Sequence, residues 1–172
     1  ISEAVSLAIV ECLDALVGDV AIKWPNDIYV ADRKICGILI EHTLAGAKIE
    51  HTIAGIGLNV NQSAFTSDAP NPISLAQLTG REHPLDSLTL DIATRILRLL
   101  ESTRTDQGRQ ALHSRYLARL WRRNDMSPYL DCATGRRFHA TIADVDPDGT
   151  LRLSTADGRE RAYAFKEVAF EL

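Results

Sequence analysis

Apolar residues recur at helical spacing across residues 1 to 17, with Val5, Ile9, Cys12, Leu13 and Leu16 on one stripe and Gly18-Asp19 as the stop. The spacing predicts an amphipathic helix. It opens the chain with no initiator methionine and no preceding element to pack on, which predicts a fragment whose upstream part is missing. From Val20 to Asn61 the period shortens to two. The runs VAIKW, DIYVA, KICGILIEHTL and KIEHTIAGIGLNVN, separated by Pro25-Asn26, Asp32-Arg33 and Ala45-Gly46-Ala47, predict a meander of three or four strands.

A three-residue turn centred on Gly46 would set Gly37 opposite Gly55 and Glu41 opposite His51. Alternation then sends Ile56, Leu58 and Val60 to one face, and Gly55, Gly57, Asn59 and Asn61 to the other, with Gly37 beside them. Glycine weakens a strand by roughly 0.5–1 kcal/mol relative to alanine, so three on one face point to a ligand lying against bare backbone. A bulge or close helix packing would explain a single one. His42 and His51 read as half-exposed cross-strand partners of Glu50 and Glu41.

Residues 62–72 (QSAFTSDAPNP) form a polar loop that starts where the glycine-bearing strand ends, which suits either a ligand cover or a plain connection. A short helix over 73–78 stops at Gly80. Leu88, Ile92, Ile96, Leu99 and Leu100 mark the next helix, capped by Asp86 or Ser87. Another follows Gly108, with Ala111, Leu112, Tyr116, Leu120 and Trp121 inward and Arg109, Arg115, Arg119, Arg122 and Arg123 on a solvated face. After Asn124-Asp125 the runs RRFHATIADV, TLRLSTA, RERAYAF and EVAFEL, with Asp-Pro-Asp-Gly and Asp-Gly turns, predict a small β-barrel. The boundary places one domain over 1–124 and a second over 125–172.

Composition narrows the function classes. The 172 residues are 45% hydrophobic, enough for a core. A net charge of −4 without a basic run indicates no nucleic-acid groove. The longest apolar runs are broken within a few residues, so no membrane span or signal peptide is expected, and the expected location is cytoplasmic. Cys12, Cys36 and Cys132 stand at wide spacing that suits neither zinc nor a disulfide framework.

The chemistry concentrates at Lys23-Trp24-Pro25-Asn26-Asp27, which sets a cation, a rigid turn and two short polar side chains between strands. Pro-Asn-Asp is also ordinary turn chemistry, and Lys34 by itself reads as a solvated turn lysine. In sequence order the chain then carries Asp-Arg-Lys at 32–34, Gly-Ile-Leu-Ile-Glu at 37–41 and Gly-Ile-Gly-Leu-Asn at 55–59. Together these resemble the biotin protein ligases, as does Ala-Pro-Asn-Pro-Ile-Ser-Leu at 69–75. The similarity covers essentially the whole chain.

The resemblance implies an α+β fold of the class II synthetase type, with a mainly antiparallel sheet backed by helices and a small SH3-like β-barrel at the C-terminus. It implies ATP-dependent activation of biotin to biotinyl-adenylate, then transfer to a lysine of a biotin carboxyl carrier protein of acetyl-CoA carboxylase or a related carboxylase. By motif position Lys34 is the catalytic residue, on the biotin carboxylate and α-phosphate. Gly37, Gly55 and Gly57 admit biotin; Lys23, Asn26, Asp27 and Asn59 hold ATP or the adenylate, and Asp27 supports Mg²⁺. The family's Gly-Arg-rich loop is absent from this sequence, which puts activity of the chain alone in doubt. Its optional helix-turn-helix is also absent. Two alternatives are a lipoate protein ligase relative, against which the Lys-Trp-Pro-Asn-Asp run argues, and a non-catalytic interaction module. An exposed sheet edge would favour a homodimer.

Overall fold

A computed structural model describes residues 1–46, 48–66 and 71–171. They form two compact units, Ile1–Arg119 and Leu120–Leu172.

The first unit opens with α1 (Ser2–Asp14), then β1 (Val20–Lys23), β2 (Asp27–Val30), β3 (Arg33–Ala45) and β4 (Lys48–Leu58) in one antiparallel sheet of that order. Three helices follow: α2 (Leu75–Thr79), α3 (Leu85–Ser102) and α4 (Asp106–Ala118). The predicted first helix is present, but its surroundings are not those of an amphipathic surface helix. Besides Val5, Ile9, Cys12 and Leu13, the residues Ala4, Ser6, Leu7, Ala8 and Val10 are buried, because α3, α4, β1 and β2 pack around it. Burying each large apolar side chain is worth about 1.5–3 kcal/mol, so α1 is the core of this unit.

The acidic residues of α1 explain the arginines. Glu11 meets Arg95, Arg98 and Arg115; Asp14 meets Arg119; and His113 Nδ1 lies 2.7 Å from a Glu3 oxygen. Of the arginines expected on a solvated face, Arg109, Arg115 and Arg119 are exposed as expected. Arg115 and Arg119 also pair with α1, Arg109 binds Asp106 and the Thr103 carbonyl, and Arg95 and Arg98 tie α3 to α1. α4 begins at Thr105, whose hydroxyl accepts from the Gly108 N–H, so Gly108 lies inside the helix rather than before it. Ala111 is exposed, whereas Leu112, Tyr116 and Leu117 point inward. α3 starts at Pro84 without a side-chain cap, ahead of the expected Asp86 or Ser87. α2 has a reciprocal capping box between Ser74 and Gln77 and ends at Gly80.

The β3–β4 register differs from expectation. Ala45 pairs with Lys48, so two residues intervene rather than three, and an irregularity between Thr43 and Leu44 adds one more residue to β4. Gly37 therefore faces Gly57, Gly55 faces Leu39, and Glu41 faces Ile53. The histidine pairing changes with it: His42 faces Thr52, with Nδ1 2.9 Å from its hydroxyl, and His51 faces Thr43. Two shifts of one residue preserve the parity of the strand, so the predicted faces survive. Ile56, Leu58 and Val60 look toward Leu88 and Ile92 of α3 across a cavity of about 330 Å³.

The second unit is a five-stranded antiparallel sheet in the order β8-β7-β6-β5-β9. Its strands are β5 (Ser127–Asp131), β6 (Arg137–Val145), β7 (Leu151–Thr155), β8 (Glu160–Tyr163) and β9 (Val168–Phe170). β5 had no counterpart in the sequence reading. Its Pro128 stands near the strand start, where a missing N–H is tolerated. Tyr129 is fully buried there, with its ring centroid 4.9 Å from that of Phe170. The observed architecture is the α+β arrangement expected, with antiparallel sheets and helices.

Candidate active site

The site lies on the sheet face opposite α1. The turn after β1 packs Trp24 into the core and returns the chain at Asp27, so Lys23 and Asp27 pair directly and share a face. Asn26 holds the next strand. Its backbone carbonyl accepts from the Ile38 N–H at 3.0 Å, and its side-chain amide donates to the Ile38 carbonyl.

Between β2 and β3 the pairing steps from Ile28↔Cys36 to Tyr29↔Lys34, leaving Ile35 as the extra residue of a bulge. The bulge turns Lys34 back over the sheet. Its ammonium lies 2.7 Å from Asp27 Oδ1, with both side chains about a quarter exposed (26% and 28%). A Cβ built on Gly37 would sit 3.4 Å from both Cε and Nζ of Lys34, so the lysine stem runs across Gly37. A Cβ on Gly57 would lie 3.5 Å from the Gly37 carbonyl. A larger side chain at Gly37 would occupy the space beside the ammonium, and one at Gly57 would lie over the Gly37 carbonyl. Gly55 is one step farther along the strip, level with Leu39.

Lys23 donates to the Tyr29 hydroxyl at 3.1 Å and sits 4.8 Å from that ring's centroid. Burial raises the Tyr29 phenol above its ordinary range, and the charges of Asp27 and Asp32 add to this. Tyr29 thus stays protonated as a partner for Lys23. Burial likewise pushes the Cys36 thiol, beneath the site, up to about 12, with Asp27 raising and Lys34 lowering it.

The structure thus brings Lys23, Asp27, Lys34, Gly37 and Gly57 together. Asn59 lies at the end of the same strand, but its side-chain amide donates to the Ile73 carbonyl at 3.1 Å. Asn61 is occupied reciprocally, donating to the His83 carbonyl and accepting from the His83 N–H, each at 2.9 Å. Residues 71–73, named in the sequence only as part of the 69–75 motif, run parallel to Lys34 and bind its backbone N–H and carbonyl. No periodicity marks such a contact. Part of the 62–72 loop, residues 67–70, lies outside the described residues, as do Ala69 and Pro70 of the 69–75 motif.

The arrangement offers two ammonium groups, one carboxylate and a side-chain-free strip, a combination suited to an anionic ligand with a flat apolar part. Among the described residues no group of three or more His, Cys, Asp and Glu could hold a metal. Asp27 keeps one oxygen beyond its bond to Lys34. Mg²⁺ is commonly held by one or two carboxylates plus substrate phosphates, so the donor set fits an ion carried by a nucleotide rather than a resident one.

Comparison with known proteins follows the same strands. The biotin/lipoate A/B protein ligase family matches residues 4–59. The bifunctional ligase/repressor BirA of Bacillus spizizenii is 29% identical over 172 aligned residues, covering 92% of this chain and 49% of that protein. The biotin–[acetyl-CoA-carboxylase] ligase of Paracoccus denitrificans is 27% identical over 168, covering 93% of this chain and 68% of that one. The apo biotin protein ligase from Aquifex aeolicus shares the fold, with a TM-score of 0.75 at 20% identity over 99% of this chain and 73% of that one. The chain spans about half the length of the Bacillus relatives it matches. No helix among the described residues is long and apolar enough to cross a membrane.

Proposed function

From a chain related to the biotin protein ligases along nearly its whole length, we propose that the site activates biotin with ATP and passes it to a carrier-protein lysine. The observation that carries this is the Lys34 ammonium, held 2.7 Å from Asp27 over the bare Gly37–Gly57 strip.

In the first step a biotin carboxylate oxygen forms a bond to the α-phosphorus of ATP, and the bond to the β-phosphate oxygen breaks, releasing pyrophosphate. Two anions must approach, and charge grows on the α-phosphate. A preorganised cation that offsets both lowers the barrier, commonly by a factor of about 10²–10³. In this reading Lys34 takes that role, supported by its ion pair with Asp27. Asp27 fixes its ammonium before substrate arrives, and Lys23, backed by Tyr29, supplies a second cation for phosphate. Gly37 and Gly57, with Gly55 beyond them, leave room for the flat ring system. Asn26 and Asn59 support the nucleotide end by fixing the backbone around it. Mg²⁺ would enter on the triphosphate and be met by Asp27, where it would offset phosphate charge.

In the second step the amine of a carrier lysine attacks the activated carbonyl, forming an amide and releasing AMP. A biotin carboxyl carrier protein, such as that of acetyl-CoA carboxylase, is the acceptor chemistry this implies. Residues 1–124 would carry the reaction and 125–172 an accessory β-barrel domain.

The test is biotin-dependent exchange of pyrophosphate into ATP, with lipoate as control. Biotin is expected to support exchange and lipoate not. Lys34→Ala is expected to lose about 10²-fold or more in rate. Near-normal exchange by that variant would remove Lys34 from the chemistry, and exchange driven by lipoate instead would move the chain to the lipoate branch of the family.

A further inference from the structure

We propose that Arg33 and Asn59 are positioning residues for Lys34, acting through the backbone of residues 71–73. This deepens the ligase reading and rests on it.

The bulge at Ile35 breaks the β2–β3 ladder beside Lys34. Backbone groups released in this way need new partners, since buried N–H and C=O groups are almost always paired. Here they find them in a segment distant in sequence. The Lys34 N–H donates to the Asn71 carbonyl at 3.0 Å, the Lys34 carbonyl accepts from the Ile73 N–H at 2.9 Å, and the Ile35 carbonyl accepts from the Asn59 N–H at 2.9 Å. Residues 71–73 therefore act as a second strand along Lys34, parallel and centred on Pro72.

A segment this short has no ladder of its own. Besides these backbone bonds and the Ser74 hydroxyl on the Gln62 carbonyl, two side chains hold it by consecutive carbonyls: Arg33 Nη2 donates to Pro72 O at 2.9 Å, and Asn59 Nδ2 donates to Ile73 O at 3.1 Å. Asn59 also accepts from the Leu75 N–H at 3.0 Å through its own carbonyl, which ties the same segment to the start of α2. Arg33 and Asn59 thus grip from both sides the piece of chain that grips Lys34.

The functional consequence follows from the length of the lysine stem. Asp27 sets where the ammonium points, but the stem swings from the Lys34 Cα, and a misplacement of about 1 Å in a catalytic group can cost about 10²-fold. Asn59 therefore contributes to the nucleotide end of the site through Lys34.

The experiment uses the full chain and compares wild type with Arg33→Ala, Arg33→Lys and Asn59→Ala, the Asn59 change also being made in a Lys34→Ala background. Amide hydrogen exchange followed by NMR needs no ligand. In both alanine variants the Lys34 and Ile73 amides are expected to exchange about tenfold faster, with the β1–β2 ladder unchanged and Arg33→Lys restoring most of the protection. In biotin-dependent pyrophosphate exchange each alanine variant should lose about tenfold or more in kcat, with KM for ATP within about twofold of wild type. Asn59→Ala should add nothing once Lys34 is alanine. Unchanged Lys34 and Ile73 exchange would overturn the proposal. So would a raised KM for ATP with losses that multiply in the Lys34→Ala background, which would instead mark Asn59 as a direct nucleotide contact. A wild-type chain that neither binds a biotinyl-adenylate analogue nor exchanges pyrophosphate would count against the ligase reading, while the amide data would still decide whether the clamp holds Lys34.

Discussion

At the scale of single residues, the site is an ion pair laid over missing side chains. The charged and glycine positions were readable from the motifs, because a cation beside a glycine strip is a local pattern once alternation assigns the faces. The roles of the amides were not. Asn26 and Asn59 both read as ligand groups, yet each spends its side-chain N–H on a carbonyl of another segment, Ile38 and Ile73 respectively. The strip itself gives a direct test. Gly57→Val would place methyl groups beside the Gly37 carbonyl, 3.5 Å from the new Cβ, on the strip that Gly37 shares. Valine is favoured in strands, so the fold should hold. Calorimetric titration with a non-hydrolysable biotinyl-adenylate analogue is expected to show binding weakened by about tenfold or more, consistent with steric exclusion from a close-packed site. Unaltered affinity would place the ligand elsewhere.

At the scale of elements, the order and type of nearly every helix and strand were legible, while their surroundings were not. The stripe in α1 marks one face, but Ala4, Leu7, Ala8 and Val10 are buried as well, because neighbours close around the helix from several sides. Acidic residues that would normally mark a wet face, Glu11 and Asp14, are matched by arginines from α3 and α4. The α3–α4 connection carries a second glycine constraint. A Cβ on Gly108 would collide with the Ser102 carbonyl, which belongs to the preceding helix. In an open helical site Gly→Ala stabilises by roughly 0.4–1 kcal/mol. Here Gly108→Ala is expected to destabilise by about 1–3 kcal/mol through overpacking. Urea unfolding should show a lower midpoint with an unchanged slope, and a rise in the midpoint would contradict the contact.

For the whole molecule, the cysteines report how folding couples to pH. Burial is the leading cause of the upward shift at both Cys12 and Cys36, each raised from about 9 to about 12, while Cys132 is exposed. A thiol whose folded value exceeds its unfolded one favours the fold while both states are protonated. That contribution is fully present below about pH 9 and is lost as pH rises toward 12. The denaturation midpoint is therefore expected to fall above pH 9 in wild type, and to fall less in Cys12→Ala/Cys36→Ala. Alkylation of the native protein at about pH 8, read by mass spectrometry, should mark Cys132 alone, since the other two are buried and protonated there. The sequence by itself determined the succession of elements and the two faces of the β3–β4 hairpin, and its motifs singled out Lys34 as a candidate, because periodicity and short motifs are properties of neighbouring residues. Only the tertiary structure decided the register of that hairpin, the all-round burial of α1 and the grip of residues 71–73 on Lys34. Each of these depends on a bulge or on packing between segments far apart in the chain, which no local pattern encodes.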